Sequence, residues 1–373
     1  MLLKNGNVFD GEQFLKGLEV RLSEGRVAET GYDLRPAERE EIIDLAGDFL
    51  LPGFVDVHIH AFKGRDTMDG EAAVRHMSRE LFRLGVAGFC PTTMSAGPEE
   101  TLSAVNGILA VMKHPEPEGA AVLGVHMEAP FLSPERAGAQ RREFFRDPDW
   151  DLLERMTGGR TETVRLITLA PERKGSEAFI RRAVAGGIHV SVGHTDADAK
   201  TFHEAVKWGA DHVTHTFNAQ TPLRHREPGI PGAALTEDGV YCEMICDGIH
   251  LHHDIVRLIA RCKGAGKTVA ITDAMEAAGM PDGDYALGGQ RVIVRDGAAR
   301  LEDGTLAGSV MTMVKTLENL IHVFGIEAAE ACAMCTSTPA ASIGESRFGR
   351  IAEGSPVPLT RWSREWEFRG IVR

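Results

Sequence analysis

The chain has 373 residues, with 41 Lys and Arg against 54 Asp and Glu, and so carries a net charge of −13. A protein that grips nucleic acid needs a basic surface to displace counterions, so this balance excludes nucleic acid as a default partner. Its longest apolar runs are well short of the roughly 20 residues that cross a bilayer, and Met1 to Gly6 lacks the charged head and apolar core of a signal peptide, so no membrane partner and a cytoplasmic location are expected.

In chain order, the first 50 residues read as short strands and turns. Val8, Gly17 to Leu22 and Arg26 to Ala28 are set between Gly6, Gly11, Gly25 and Gly31. From residue 51 the texture changes to alternating strand and helix. Strands are predicted over Phe54–His58, Ala87–Thr92, Ala121–Met127, Val164–Leu169, Ile188–Val192, Asp211–Thr214, Val240–Cys246 and Thr268–Thr272. Helical spacing fills Glu71–Leu84, Glu99–Met112, Ser176–Ala185, Asp196–Trp208 and Asp254–Cys262, and a further helical stretch runs from Val310 to Phe324.

Eight such units over about 250 residues match the size of an α/β fold of the (β/α)8 TIM-like barrel type, whose chemistry sits at the C-terminal strand ends. A doubly wound sheet would instead gather its chemistry at one switch point. After Phe348 the short-strand texture returns, as in Trp366–Val372. The expected division is a barrel over 51–345 and a small β-sandwich built jointly from 1–50 and 346–373. Six cysteines scattered through the chain form no disulfide framework, and Cys332-x-x-Cys335 in an Ala-rich stretch reads as buried packing.

The predicted strand ends are nearly all polar. Phe54 to His60 is an apolar strand ending in His-x-His, and alternation along a strand turns His58 and His60 to the same face, towards one ion. The third strand delivers Glu128 before Pro130, as a metal ligand or as an ion-pair partner of Arg136, Arg141 or Arg142. Gly193-His194-Thr195-Asp196 and Thr214-His215-Thr216-Phe217-Asn218-Ala219 each end a strand in histidine. One carboxylate and two histidines on such strands match the N/O donor set of Zn²⁺, Fe²⁺ or a similar ion. Asp273, at the end of the eighth strand, is the candidate base, the alternative being a helix N-cap.

On the substrate side, Arg224-His225-Arg226 is the densest basic cluster near these motifs and points to an anionic group such as a phosphate. Asp247-Gly248-Ile249-His250 adds a donor. Gly304 to Ser309 precedes the helical stretch, so its N–H groups face a ligand while Ser309 caps the helix.

Taken together, PGFVDVHIH, HMEAPFL, AGAQ, VGHTDA, HTFNA, HREPG, CDGIH, TDAM and GTLAGS resemble, in order and spacing, the N-acetylglucosamine-6-phosphate deacetylase family of the amidohydrolase superfamily. The resemblance implies metal-dependent hydrolysis of the acetamide of an N-acetyl-hexosamine 6-phosphate, releasing acetate and the amino-sugar phosphate. It also implies a barrel flanked by a β-sandwich, and a homodimer.

By resemblance, Glu128, His194 and His215 are the main metal ligands and Asp273 is the acid/base. His58 and His60 match a pair holding a second ion in some members, giving one or two divalent ions per subunit. Asn218, Ala219, Arg226 and His250 match sugar-phosphate contacts, with Ala139, Leu306, Ala307 and Gly308 also in the substrate set. The loop of Arg226 is expected to act across a dimer interface.

The chain departs from the family at Ala61-Phe62-Lys63-Gly64, where a Gly-rich stretch is common, which adds a cationic contact or reshapes the mouth. Gln140 stands where some members have histidine, and it can donate a hydrogen bond but not carry a proton. Gln220 replaces a common methionine. Alternatives are the galactosamine epimer as substrate, an amidohydrolase acting on a cyclic amide or nucleobase, and a non-catalytic sugar-phosphate binder.

Overall fold

The computed structural model describes residues 1–373. Eight parallel strand positions run in sequence order around a nearly closed barrel, from Phe54–Ile59 through Val86–Thr93, Val125–Met127, Val164–Leu169, His189–Val192, His212–Val213 and Tyr241–Ile245 to Thr268–Ile271. The third position has a second piece, Ala121–Val122, because the chain breaks at Gly124, whose φ is 143°. Most predicted strands agree with these to within a residue or two.

Helices cover the outside by burying one face each. His253–Lys263 buries Val256, Ile259, Ala260 and Lys263, the spacing of a single helical stripe. Ser176–Ala185 falls where the sequence predicts it. The helix expected from Asp196 begins only at Ala199, with the Asp198 side chain accepting from the Thr201 N–H at 2.8 Å. Residues 195 and 196 are claimed by Glu172, which accepts from the Thr195 hydroxyl and the Asp196 N–H and so holds them in the loop. Cys332 and Cys335 are buried free thiols in the helix Ala328–Cys335.

Closure of the barrel depends on side chains as well as a ladder. Where the first and eighth strands meet, buried Asp56 accepts from the Thr272 hydroxyl at 2.5 Å. Beyond it, the Asp273 N–H donates to the His58 carbonyl at 2.9 Å and the His60 N–H to the Ala274 carbonyl at 3.0 Å. Burial pushes the Asp56 carboxyl up to about 6 against the opposing pull of these hydrogen bonds.

The terminal segments build two further sheets. One carries Leu2–Lys4, Glu19–Ser23, Arg26–Gly31 and Ile42–Asp44. The other has Phe49–Pro52 at its centre, between Asn7–Phe9 and Leu359–Trp362, with Phe14–Lys16 and Phe368–Val372 outermost. Leu3, Val20 and Val27 of the first sheet share an apolar core with Val8, Leu50, Leu359 and Val372 of the second.

Two features differ from the sequence expectation. Residues 283–300 form a three-stranded antiparallel sheet, Gly283–Leu287, Gln290–Arg295 and Ala298–Arg300, whose first turn is the Gly288-Gly289 pair. The helix expected from Val310 starts at Met313, and its N-cap is Thr312, not Ser309. The Ser309 hydroxyl instead donates to the Thr272 carbonyl at 2.5 Å.

Asp56→Ala leaves the buried Thr272 hydroxyl proton without an acceptor, and is expected to lower unfolding free energy by about 2 kcal/mol. Asp56→Asn keeps an acceptor and should lose less. Urea unfolding of the two variants beside the unaltered protein checks the order.

Candidate metal centre and active-site pocket

The strand ends open into a pocket of about 180 Å³. It is lined by His60, Glu128, Ala139, Gln140, His194, His215, Asn218, Ala219, His250, Asp273, Leu306 and Gly308 of the predicted set, together with Met94, Gly138, Leu287 and Thr305. His58 lies directly beneath, fully buried.

At its floor, Glu128 Oε1 is 3.1 Å from both His194 Nε2 and His215 Nε2, and those two nitrogens are 3.0 Å apart. Beside them, His60 Nε2 is 3.3 Å from His58 Nε2, 3.2 Å from Glu128 Oε2 and 3.3 Å from Asp273 Oδ1. Glu128 thus adjoins two groups of donors, one with His194 and His215 and one with His58, His60 and Asp273.

Tautomers follow from the partners on the far side of each ring. His194 Nδ1 lies 2.9 Å from the Arg136 carbonyl, His60 Nδ1 3.3 Å from the Thr92 carbonyl and His58 Nδ1 2.9 Å from Glu243 Oε2. Each of these partners is an acceptor, so the proton sits on Nδ1 and the Nε2 lone pair faces inward.

The Nε2 lone pairs of His58 and His60, 3.3 Å apart, repel unless a cation lies between them. Ligand atoms of a tetrahedral ion at 2.0–2.1 Å are themselves roughly 3.3 Å apart. The charges agree with this. Glu128, Asp273 and Glu243 are all buried carboxylates, and no Lys or Arg lines the pocket.

Burial disfavours the imidazolium of His58, yet Glu243, Asp273 and Glu128 outweigh it, so positive charge is favoured at this point, whether carried by a proton on Nε2 or by an ion bound there. Burial would raise Asp273, but His58, His60 and His215 hold it down at about 2, so its carboxylate is ionised. The residues present therefore fit a divalent ion, by donor type, spacing and charge.

Three of these residues stand in the left-handed region, with φ of 46° at His194, 29° at His215 and 46° at Asp273. Neighbours hold them there. The Asp273 carbonyl accepts from the Ser309 N–H at 2.7 Å, and a Cβ on Gly308, whose own φ is 63°, would come within 2.9 Å of that carbonyl. Only glycine fits at 308. No helix follows Asp273, so the N-cap alternative fails. Glu128 pairs with none of the three arginines; Arg136 is bonded to Asp196 and Arg141 to Glu143.

Other predicted residues take different places. His250 turns Nδ1 to Asp247 at 2.6 Å, which leaves Nε2 free on a ring that lines the pocket. Gln140 is fixed on both sides, donating to Glu128 Oε2 at 2.5 Å and accepting from the Ser95 N–H at 2.8 Å. Gln220 braces its own loop, accepting from the Phe217 N–H and donating to the Thr214 carbonyl.

Three residues of the sequence reading stand outside the pocket wall of this subunit. Arg226 does not line the pocket; it stands with Arg136, Lys200 and Arg224 along a neighbouring groove, because its loop projects into solvent. Ala307 is fully buried in the apolar cluster of Met275, Leu287 and Val292, its N–H committed to the Ala299 carbonyl. Lys63 adds no charge to the mouth, since its ammonium is paired with Glu80 at 2.8 Å.

The sequence reading missed Glu243, Met94, Leu287 and Thr305. An acid at the centre of the apolar run Val240 to Cys246 was the available signal for Glu243.

A parallel barrel with a carboxylate-and-histidine centre at its C-terminal mouth defines the amidohydrolase class, and the amidohydrolase family pattern matches residues 49–368. An N-acetylglucosamine-6-phosphate deacetylase of Bacillus subtilis (strain 168) is 39% identical over 318 residues, 84% of this chain and 80% of that one. An N-acetylgalactosamine-6-phosphate deacetylase of Escherichia coli O157:H7 is 33% identical, covering 92% and 89%. The solved structure of a mutant N-acetyl-D-glucosamine-6-phosphate deacetylase from Mycobacterium smegmatis, in complex with N-acetyl-D-glucosamine-6-phosphate, has a TM-score of 0.91 at 31% identity and covers 100% and 97% of the two chains. The chain belongs to the N-acetylglucosamine-6-phosphate deacetylase family of amidohydrolases.

Gly308→Ala combines positive-φ strain with the clash at the Asp273 carbonyl and is expected to cost about 1–3 kcal/mol. Thermal unfolding of the variant, compared with Gly304→Ala in the open turn nearby, tests whether contact at 308 adds to the backbone strain that both share.

Proposed function

We propose that the protein hydrolyses the acetamide of N-acetylglucosamine 6-phosphate to glucosamine 6-phosphate and acetate. The observation that carries this is the Asp273 carboxylate on the wall of a pocket whose floor is the Glu128, His194, His215, His58 and His60 cluster. Glu128, His194 and His215 would hold one divalent ion, and His58, His60 and Asp273 a second, with Zn²⁺ or Fe²⁺ suited to the donors. When bound, such an ion supplies Lewis acidity, drawing charge from the amide carbonyl and acidifying water.

The chain's own groups do the rest. Asp273 takes a proton from the water that attacks the acetyl carbon and delivers it to the amide nitrogen as the C–N bond breaks. The His250 imidazole, with Nε2 free, would hold a substrate oxygen, while the Gln140 amide, committed to Glu128 and Ser95, would steady the Glu128 carboxylate. Asn218, Ala219, Leu306 and Gly308 would wall the sugar.

A phosphate carries about two negative charges, and no Lys or Arg lines this pocket. Arg226 stands in the adjacent groove with Arg136, Lys200 and Arg224. This favours a homodimer in which the Arg226 loop of one subunit closes on the pocket of the other. The galactosamine epimer is the second reading, favoured by the similarity to the E. coli relative.

Acetate release from the two epimeric 6-phosphates, measured side by side on protein of known metal content, decides between them. Turnover should vanish on chelation and return with Zn²⁺ or Fe²⁺; no acetate from either sugar would redirect the reading to cyclic-amide or nucleobase substrates. Asp273→Asn is expected to lower kcat by about 10²–10⁴-fold while isothermal titration still detects sugar-phosphate binding. Arg226→Ala should raise KM for the phosphorylated sugar and leave that for the unphosphorylated sugar nearly unchanged, and an equal loss for both would remove its phosphate role.

A further inference from the structure

Glu243 stands on the seventh barrel strand, fully buried, and does not line the pocket. One of its oxygens, Oε2, serves both halves of the donor cluster. It accepts from His58 Nδ1 at 2.9 Å and from the main-chain N–H of His215 at 3.0 Å. The other oxygen, Oε1, is buried with no hydrogen-bond partner. A carboxyl group with a bare oxygen in a barrel interior is costly, and such a group calls for a compensating role.

His215 shows what that role is. Its φ of 29° is strained, and its Nδ1 is buried without a partner, unlike the Nδ1 atoms of His58, His60 and His194. No side-chain hydrogen bond behind the ring sets its direction, so its backbone must. The Glu243 carboxylate holds that backbone through the N–H. For His58 the same oxygen fixes the tautomer, leaving Nε2 unprotonated towards His60 and Asp273.

We propose that Glu243 is a positioning residue shared by both halves of the cluster, setting the His58 ring through Nδ1 and the His215 ring through its main chain, so that both can bind one set of ions. This rests on the reading of the cluster as an ion site and is independent of which sugar is cleaved. Glu243 does not line the pocket, so its effect is exerted through the two histidines.

The test measures Zn²⁺ affinity of the full-length apoprotein by competition with a chromophoric chelator, with no substrate present. Glu243→Leu removes both acceptors and is expected to weaken binding about 10–100-fold. Glu243→Gln keeps an oxygen that can accept from both N–H groups and should recover most of that loss. Leucine at wild-type affinity, or glutamine and leucine weakened alike, would overturn the proposal. Absence of Zn²⁺ binding by the unaltered protein would remove the ion-site reading itself.

Should Glu243→Leu fail to fold, the unaltered zinc-loaded protein labelled with ¹⁵N-histidine gives the answer. The His58 signal, identified by its loss in His58→Gln, is expected to be an Nδ1–H tautomer; an Nε2–H tautomer would sink the role assigned to Glu243.

Discussion

The seam between the first and eighth barrel strands brings the two ends of the catalytic region together. Asp56 bonds Thr272 across it, and one step further up the Asp273 N–H donates to the His58 carbonyl. Strand alternation then places His58 and His60 on one side of the seam and the Asp273 carboxylate on the other, within 3.5 Å. A barrel that failed to close here would keep its eight strands and lose the meeting of these groups. Ser309 and Gly308 lock the same segment from outside, so the seam is braced by three separate stretches of sequence.

That closure forces an electrostatic problem which only a cation resolves. Glu128, Asp273 and Glu243 are taken out of water, and the nearest basic side chains are imidazoles whose Nε2 atoms converge on one another. Lysine or arginine would settle the charge and thereby occupy the space where substrate must sit. Imidazole supplies ligand atoms without filling that space. Beneath the cluster the polar character continues, with His126 bonded to Thr168 and Thr168 to Thr214, so the barrel centre is a hydrogen-bonded layer as well as an apolar one.

Much of this was legible because barrel chemistry is written at strand ends. A period of two places His58 and His60 together whatever the rest of the chain does, and Glu128, His194, His215 and Asp273 each stand one or two residues past an apolar run. What was not legible depends on contacts between distant segments. Nothing near Ala307 says that its methyl turns into the cluster around Met275, and nothing in the Arg224 to Arg226 run says that it faces a different groove. Ser309 looked like a helix cap because serine before an apolar stretch usually is one; the Thr272 carbonyl, distant in sequence, claims its hydroxyl first. The sheet over 283–300 had a local signal, a Gly-Gly turn between alternating runs, and it delivers Leu287 to the pocket.

The strand Phe49–Pro52 leads into the barrel's first strand and pairs, Phe49 with Trp362 and Pro52 with Leu359, across some three hundred positions of chain. A chain synthesised from its N-terminus makes every barrel strand before that partner exists. Until residues 359–372 emerge, one edge of this strand is unpaired and its apolar face lacks Leu359 and Val372. Such an edge is a template for another chain. Newly made copies in a crowded polysome would therefore be most prone to swap C-terminal hairpins in the interval between barrel closure and release, with the aggregation-prone surface lying far from the catalytic mouth.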